Sequence, residues 1–583
     1  MRILGIYCGH NATAVLMQDG EVVAALSEEK LDNIKNSAGF PAKAIAAILK
    51  EHELSAADID HIAMASNEVF PRRCYDYLAH PSNQEELALK SKIVRSVERG
   101  VVGKLLPPLF QALRDYRYKE LVEEGLEELE VTLTELDLAS IPRTHVEHHE
   151  CHATSAFYGL DPSAGADPAL IFSLDGSGDR LCATVTIWNG QEWRRIAETP
   201  SSASLGSIYS LTTRFLGMRI LEHEYKVMGL APYCKDYYRS VFERVFEPVI
   251  RLDDRNPLVF KAECDTARFY DYLVENAVGE RFDNVAGAVQ HLIEERTTAW
   301  IREAIKSSGI SRIFTSGGVF MNVKLNKRIQ EMPEVSQCFF MPSCGDESIA
   351  LGAAYSVARA NGIAVQPLSD LYLGLSYSDD QISEFVNENG LEQRFAVRAS
   401  DDIECDVAEL LASRQIVARV SGNNEWGARS LCNRAILAHP SYIESFYTVN
   451  DQIKCRDFWM PFAPTILDSA AHKYLQDYDP DRAEAPYMIT AFSATELGIK
   501  ELRASIHQGD HTLRPQVLRP EHNPTYYRLV KEFEALSGIG AVLNTSFNLH
   551  GYPLAATLDQ ALMTFEQSGL RHMALGSFLI SKE

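Results

Sequence analysis

Leu170-Ile171-Phe172-Ser173-Leu174-Asp175-Gly176-Ser177-Gly178-Asp179 is an apolar run that ends in an acidic, glycine-rich turn. The run reads as a strand, and the small residues after it let backbone N–H groups approach a charged ligand without Cβ interference. Upstream, behind a short extended segment, stands Glu147-His148-His149-Glu150-Cys151-His152-Ala153. His148 and His152 are four apart, so a helix sets both imidazoles on one face, where they can converge on a metal. Strand, turn and histidine pair together suggest a metal–nucleotide site, with Asp175 as a third ligand. A zinc peptidase is excluded. It needs His-Glu-x-x-His, but His149 follows His148, and the second register spaces its histidines by only three. The plainer alternative for the run is a histidine cluster satisfied at a helix N-terminus.

Outside these stretches the pattern is that of an α/β protein. Arg2–Tyr7 and Glu21–Ser27 read as strands around a second run at His10–Met17, with a hairpin turn at Asp19-Gly20. Pro41–Glu53 has helical periodicity and His61–Ser66 is a short strand. Residues 67–143 change character to a charged helical insertion, typified by Leu-Val-Glu-Glu-Gly-Leu-Glu-Glu-Leu-Glu at 121–130. It reads either as a solvated helical addition or as an acceptor-binding lid, since elements added to a rigid core often carry specificity. The strand–turn–helix pattern returns twice between Ser311 and Ala360. Residues 371–380 look like a linker, and apolar strands recur at Ile416–Val420 and Gly540–Leu543. No fixed-period repeat is evident.

Composition narrows the function classes. At 583 residues the chain has room for two or three domains. Its net charge of −24 argues against a general nucleic-acid binder, whose footprint is basic. Eleven cysteines with no CxxC pair read as reduced thiols. No stretch approaches the roughly 20 apolar residues of a membrane span, so a cytoplasmic location is expected.

Three glycine turns follow strands: Asp175-Gly176, Gly317-Gly318 and Gly345-Asp346. Any one is an ordinary tight turn; three in order, two with aspartates, point to nucleotide phosphates. Asp175 and Asp346 can complete an oxygen-and-imidazole site with His148 and His152, a donor set that suits Fe, Zn or Mn better than Mg. In the C-terminal third, Arg429, Lys454, Arg456, Arg514 and the run Leu543-Asn544-Thr545-Ser546-Phe547-Asn548 supply the forks and amides that an anionic phosphate or carbonate site needs. His10 and Lys35 stand out only in company.

That company is broad. The chain resembles the NodU/CmcH-type O-carbamoyltransferases over nearly its whole length. The resemblance runs from His10-x-Ala-x-Ala through Glu28-Glu29 to Lys35 and Gly39-Phe-Pro41. It continues through His148-His-x-x-His152, Lys226-Val-Met-Gly-Leu-Ala231, Gly317-Gly318-Val-x-x-Asn322, Pro461-Phe-Ala-Pro464 and Leu543–Gly551. It implies an actin/sugar-kinase-like domain (ASKHA, TsaD-like) at 1–365, followed by a YrdC-like domain at 380–583. The implied activity uses ATP, with its Mg2+, and carbamoyl phosphate to make carbamoyl-adenylate in the second domain. The first domain then transfers the carbamoyl group to a hydroxyl of a sugar, glycolipid or secondary metabolite.

Carried over by position, the resemblance makes His148, His152, Asp175 and Asp346 ligands of a divalent metal, Fe2+ first with Zn or Mn as alternatives. His10 becomes the base on the acceptor hydroxyl and Lys35 a carbamoyl-adenylate contact. Gly176, Gly317, Gly318 and Asn322 line the nucleotide site of the first domain. Arg429, Lys454, Arg514, Asn544 and Ser546 line the adenylation pocket. The expected partners are a small-molecule or glycan acceptor, ATP and carbamoyl phosphate, with no nucleic acid and with a homodimer possible.

Four positions depart from the family pattern: Asn423 and Met460 stand where it has Arg, Ala428 where it has Pro, and Asn36 where it commonly has His. Two absent arginines remove fixed positive charge from an anion site, which makes activation of carbamoyl phosphate the step most exposed to change. Two other functions fit parts of the sequence. One is a tRNA-modifying threonylcarbamoyl-type transferase, which the net charge opposes; the other is a nucleotide-binding protein with a decayed adenylation module.

Overall fold

The computed structural model describes residues 1–75, 107–163 and 165–582. Of the expected insertion at 67–143, residues 76–106 lie outside that range, and Pro107–Glu135 form one long helix. The chain forms two compact units, each built from two segments. One joins Met1–Cys151 with Asp346–Val365; the other joins His152–Gly345 with Gln366–Glu583.

The first unit holds a five-stranded sheet of order β3-β2-β1-β4-β5. Its strands are β1 (Arg2–Tyr7), β2 (Thr13–Gln18), β3 (Glu21–Ser27), β4 (His61–Ala65) and β5 (Arg143–Val146). β1 pairs antiparallel with β2 and parallel with β4; β2–β3 is antiparallel and β4–β5 parallel. Central β1 is buried along nearly its whole length, as its unbroken apolar sequence requires. Helix Ala42–Glu51 follows Pro41, and the Glu28 carboxylate accepts from the Lys43 and Ala44 amides at 3.1 and 2.9 Å. A negative group there meets both the orphan donors and the positive end of the helix dipole. Helix Glu347–Ala360 packs against β1 and β4.

The second unit repeats that topology without a sequence repeat to announce it. Its strands are β6 (Ala169–Gly178), β7 (Leu181–Trp188) and β8 (Trp193–Pro200), a separate ribbon of β9 (Ile250–Leu252) and β10 (Phe260–Ala262), then β11 (Arg312–Ser316) and β12 (Gln337–Phe340). The sheet order is β8-β7-β6-β11-β12, with β6–β7 and β7–β8 antiparallel and β6–β11 and β11–β12 parallel. Order and strand senses match the first sheet position by position. Helix His148–Leu160 lies on this sheet through Phe157, whose ring meets Phe314 of β11 edge to face at 5.2 Å. Buried Asp161, just past that helix, is paired with Arg312 of β11.

The rest of the second unit carries an eight-stranded mixed sheet. It comprises β13 (Ala396–Ala399), β14 (Val417–Val420), β15 (Arg434–Ala438), β16 (Ala463–Leu467), β19 (Gln516–Leu518), β20 (Ala541–Ser546), β21 (His572–Leu575) and β22 (Phe578–Ser581), in the order β13-β22-β21-β14-β15-β20-β16-β19. A short ribbon, β17 (Phe492–Ser493) with β18 (Thr512–Leu513), stands beside it. The fold is mixed α/β, as the sequence pattern indicated. No helix among the described residues is long and apolar enough to cross a membrane.

Within this unit, helix Glu224–Leu230 is clasped by two segments of the C-terminal third. Lys226 pairs with Asp457 at 3.1 Å, and Trp459 Nε1 donates to the Lys226 carbonyl at 3.1 Å. His507 Nε2 lies 2.7 Å from the Gly229 carbonyl, while its Nδ1 lies 3.1 Å from Asp510, which also pairs with Lys324. Burial alone would raise the Asp510 carboxyl, but the His507 contact and the Lys324 charge overcome it and hold the group well below the usual carboxylate range. A depressed folded-state value adds stability above the unfolded value of about 4 and loses it as pH falls through the folded value. An Asp510→Asn variant should therefore melt at a lower temperature than wild type at pH 7. The gap should narrow when both are measured by calorimetry below about pH 3.

Candidate functional site

β1 ends at Tyr7, and the chain then turns through Gly9-His10-Asn11 into β2. His10 forms a bridge with Ala38, and the Ala12 amide donates to the Ser37 carbonyl at 3.0 Å. These contacts hold the loop that carries Lys35 beside the His10 turn. Lys35 itself is half-buried, between Asn33 and Asn36, both at positive φ.

Asp346 stands at the start of helix Glu347–Ala360 and is buried. Tyr7 Oη donates to its Oδ2 at 2.6 Å. His10 Nδ1 lies 3.5 Å from the same oxygen, and His148 Nε2 lies 3.7 Å from Oδ1. The strand end, the turn after it and the two helix starts thus bring Tyr7, His10, His148 and Asp346 together in the first unit.

The second unit has a matching arrangement of its own. His152 lies one helical turn after His148, and its Nδ1 is 3.1 Å from Ser316 Oγ at the end of β11. Asp175, on β6, accepts from the Gly318 amide at 2.9 Å. His152 and Asp175 are therefore both tied to the Ser316–Gly318 turn. Gly317 in that turn has φ +105°, and a Cβ there would lie 2.3 Å from the Leu174 carbonyl oxygen. Glycine is needed here for strand packing as much as for any ligand. Gly176 lies half-exposed, its carbonyl accepting from Ser204 Oγ at 2.7 Å.

His148 and Asp346 of the first unit are buried, and so are His152 and Asp175 of the second. Two imidazoles and two carboxylates form a donor set that can hold a divalent transition metal. Asn322 serves locally as the cap of helix Val323–Gln330 and exchanges hydrogen bonds with Gln290 at 2.8 and 3.1 Å. Tyr209 Oη donates to the same Gln290 at 3.0 Å. Gln290, in the long helix Phe282–Ser308, carried no motif in the sequence.

A second group lies on the eight-stranded sheet. Lys454 Nζ donates to the Ser546 carbonyl at 2.5 Å, to Ser546 Oγ at 3.1 Å and to the Asn548 carbonyl at 2.9 Å. Asn544 is fully buried, its amide donating to the Ser430 carbonyl, Cys432 Sγ and Thr465 Oγ1. The loop before β15 is folded around Glu425, whose Oε1 accepts from the Leu431, Asn433 and Arg434 amides at 2.9, 2.8 and 3.1 Å.

Three guanidinium groups influence one another here. Burial, then the charges of Arg429 and Arg456, hold the Arg514 guanidinium well below its usual range. Arg514 Nη1 is buried with no hydrogen-bond partner among the described residues. A cluster of this kind favours an anion. Arg456 stands out in the sequence only as a base among aromatics, yet it belongs to this group, with its guanidinium over the Phe462 ring at 5.5 Å. Of the departures, Met460 is buried where it would meet a side chain on Gly229, and exposed Asn423 donates to the Tyr372 carbonyl at 3.1 Å. Neither position leaves a basic group behind.

Two family models match the chain: carbamoyltransferase N-terminus over residues 2–355 and carbamoyltransferase C-terminus over 408–582. Nodulation protein NolNO of Sinorhizobium fredii is 28% identical over 584 residues, 98% of this chain and 79% of that protein. Nodulation protein NolO of Bradyrhizobium diazoefficiens is 30% identical over 75% of this chain and 79% of its own length. The 3'-hydroxymethylcephem-O-carbamoyltransferase of Amycolatopsis lactamdurans is 30% identical over 46% of this chain and 48% of its own. Among solved structures, full-length HypF in its phosphate- and nucleotide-bound form aligns with a TM-score of 0.35 at 15% identity, covering 62% of this chain and 46% of HypF.

Proposed function

Because the chain belongs to the carbamoyltransferase family, we propose that it is an ATP-dependent O-carbamoyltransferase acting on a hydroxyl of a sugar, glycolipid or secondary metabolite. The observation that carries this reading is His10 standing 3.5 Å from buried Asp346, a carboxylate that His148 also approaches. Such a site needs only a base, an aligned carbonyl and charge stabilisation to carry out acyl transfer from an activated anhydride.

Residues 380–583, a YrdC-like module in this proposal, make the anhydride. Carbamoyl phosphate loses phosphate to water, and the carbamate oxygen attacks the α-phosphorus of Mg2+-bound ATP. Pyrophosphate leaves, and carbamoyl-adenylate forms. Arg429, Arg456 and Arg514 bind the phosphate oxygens, an anion that relieves the repulsion among their charges. Lys454 holds Ser546 and Asn548 in place at the end of β20.

Residues 1–365, an actin/sugar-kinase-like module, carry out the transfer. His10 takes the proton from the acceptor hydroxyl as its oxygen attacks the carbamoyl carbon, and AMP leaves. Lys35 contacts the adenylate, and the Gly317-Gly318 turn, whose amides donate to Cys344 and Asp175, shapes its site. His148, His152, Asp175 and Asp346 hold a divalent metal, Fe2+ first and Zn or Mn otherwise. When bound, that ion supplies positive charge against the developing charge on the carbonyl and the leaving group.

The test is product analysis with carbamoyl phosphate, ATP and a panel of sugars and antibiotic precursors. AMP, pyrophosphate and a carbamate ester are expected; bound nucleotide with no product would sink the enzymatic reading. Loss of one charge-assisted contact, worth about 1.5–3 kcal/mol, predicts that Arg514→Gln lowers pyrophosphate release by about 10–100-fold. The same substitution removes a buried like-charge contact, so its melting temperature should equal or exceed that of wild type.

A further inference from the structure

We infer that Tyr7 is a positioning residue for the metal group, its hydroxyl holding Asp346 Oδ2 so that Oδ1 is the oxygen turned to the ion. This rests on the reading of Asp346 as a ligand.

A carboxylate left to itself can rotate and ligate through either oxygen or both. The contacts of Asp346 remove that symmetry. Oδ2 accepts the Tyr7 hydroxyl at 2.6 Å, within the short range of an O–H donor on a charged acceptor, and lies 3.5 Å from His10 Nδ1. Oδ1 instead faces His148 Nε2, 3.7 Å away. The Tyr7 and His10 groups thus meet one oxygen and His148 meets the other. The neighbouring amide, Asn11, reaches toward Glu347 instead.

The backbone is built around this phenol. Tyr7 is buried at the end of β1, and its ring stands edge-on to His10, with centroids 6.4 Å apart and planes at 80°. The ring folds back over Gly9. A Cβ there would lie 2.1 Å from Tyr7 Oη and 2.3 Å from Cζ. Any side chain at position 9 would drive the hydroxyl away from Asp346. Hydrogen bonds of this kind to a ligating carboxylate fix its orientation, and their loss costs about 10–100-fold in metal affinity.

The experiment uses the full chain, stripped of metal and titrated with Co2+, and follows the visible absorption of the bound ion. Tyr7→Phe keeps the ring and loses the hydroxyl. It should weaken Co2+ binding about 10–100-fold and shift the absorption bands, with the far-UV circular dichroism unchanged. Gly9→Ala keeps the hydroxyl but displaces it, and should weaken binding in the same direction. Wild-type affinity and spectrum in Tyr7→Phe overturn the inference, and so does weakening in Gly9→Ala alone. Wild-type protein that binds no Co2+ overturns the ligand reading itself, and the role of Tyr7 falls with it.

Discussion

A His148→Ala/His152→Ala double variant is expected to retain no divalent metal and to transfer carbamoyl groups at least about a thousandfold more slowly than wild type. A thousandfold corresponds to roughly 4 kcal/mol of lost transition-state stabilisation, within the several kcal/mol that a metal supplies as a Lewis acid. The two histidines share one helical turn, so the variant removes half of the donor set, together with the His152 contact to Ser316 of β11. Asp175 and Asp346 would remain as two buried carboxylates with no cation to share, a weaker and less selective site. Pyrophosphate release should survive, because in the proposed mechanism it belongs to residues 380–583. Elemental analysis and separate assays of the two half-reactions give the answer. Full transfer by the double variant would make the histidines structural.

His10→Asn should lower transfer by about 10²–10⁴, the usual contribution of a positioned base, while leaving carbamoyl-adenylate formation intact. Asparagine keeps a polar group of similar reach but cannot take a proton at neutral pH. The His10 side chain is 22% exposed whereas Asp346 is 5% exposed, as expected if the base meets an incoming hydroxyl and the carboxylate does not. Loss of both half-reactions would point to a folding role for His10. Loss of transfer alone, with pyrophosphate still released and AMP accumulating only slowly, supports the base.

Much of this architecture is legible in the sequence. β1 and β3, the helix that begins after Pro41 and the strand–turn–helix units around Gly317 and Asp346 follow from apolar runs bounded by glycine, proline and aspartate. The apolar pattern puts the second run at His10–Met17, whereas β2 spans Thr13–Gln18, because His10 bridges Ala38 across the turn. The strand expected at Gly540–Leu543 continues to Ser546, since Asn544 and Ser546 are polar residues paired within the sheet. Periodicity counts such residues against a strand, although the Asn544 amide donates to Ser430 and Thr465 and the Ser546 hydroxyl accepts from Lys454.

The matching topology of the two small sheets was invisible, because strand order is a property of pairing and leaves no residue period. The site was legible where chemistry concentrates in short motifs, as in the histidine pair, and less so where it depends on distant contacts. Tyr7 looks like any apolar strand terminus, and Gln290 like any polar residue on a helix. Arg456 was visible as a base, but only its place beside Arg429 and Arg514 gives it a role.

The helix that covers β1 and β4 begins at Glu347, after the whole of the second small sheet. During synthesis the first sheet therefore emerges without its cover. At about 5–20 residues per second, the ribosome takes roughly 10–40 s to add the intervening His152–Gly345 segment. For that interval β1 and β4 lack the helix that covers them in the folded chain, and Asp346, a ligand in the proposed site, does not yet exist. The proposed metal group can form only once the chain has returned to the sheet with which it began.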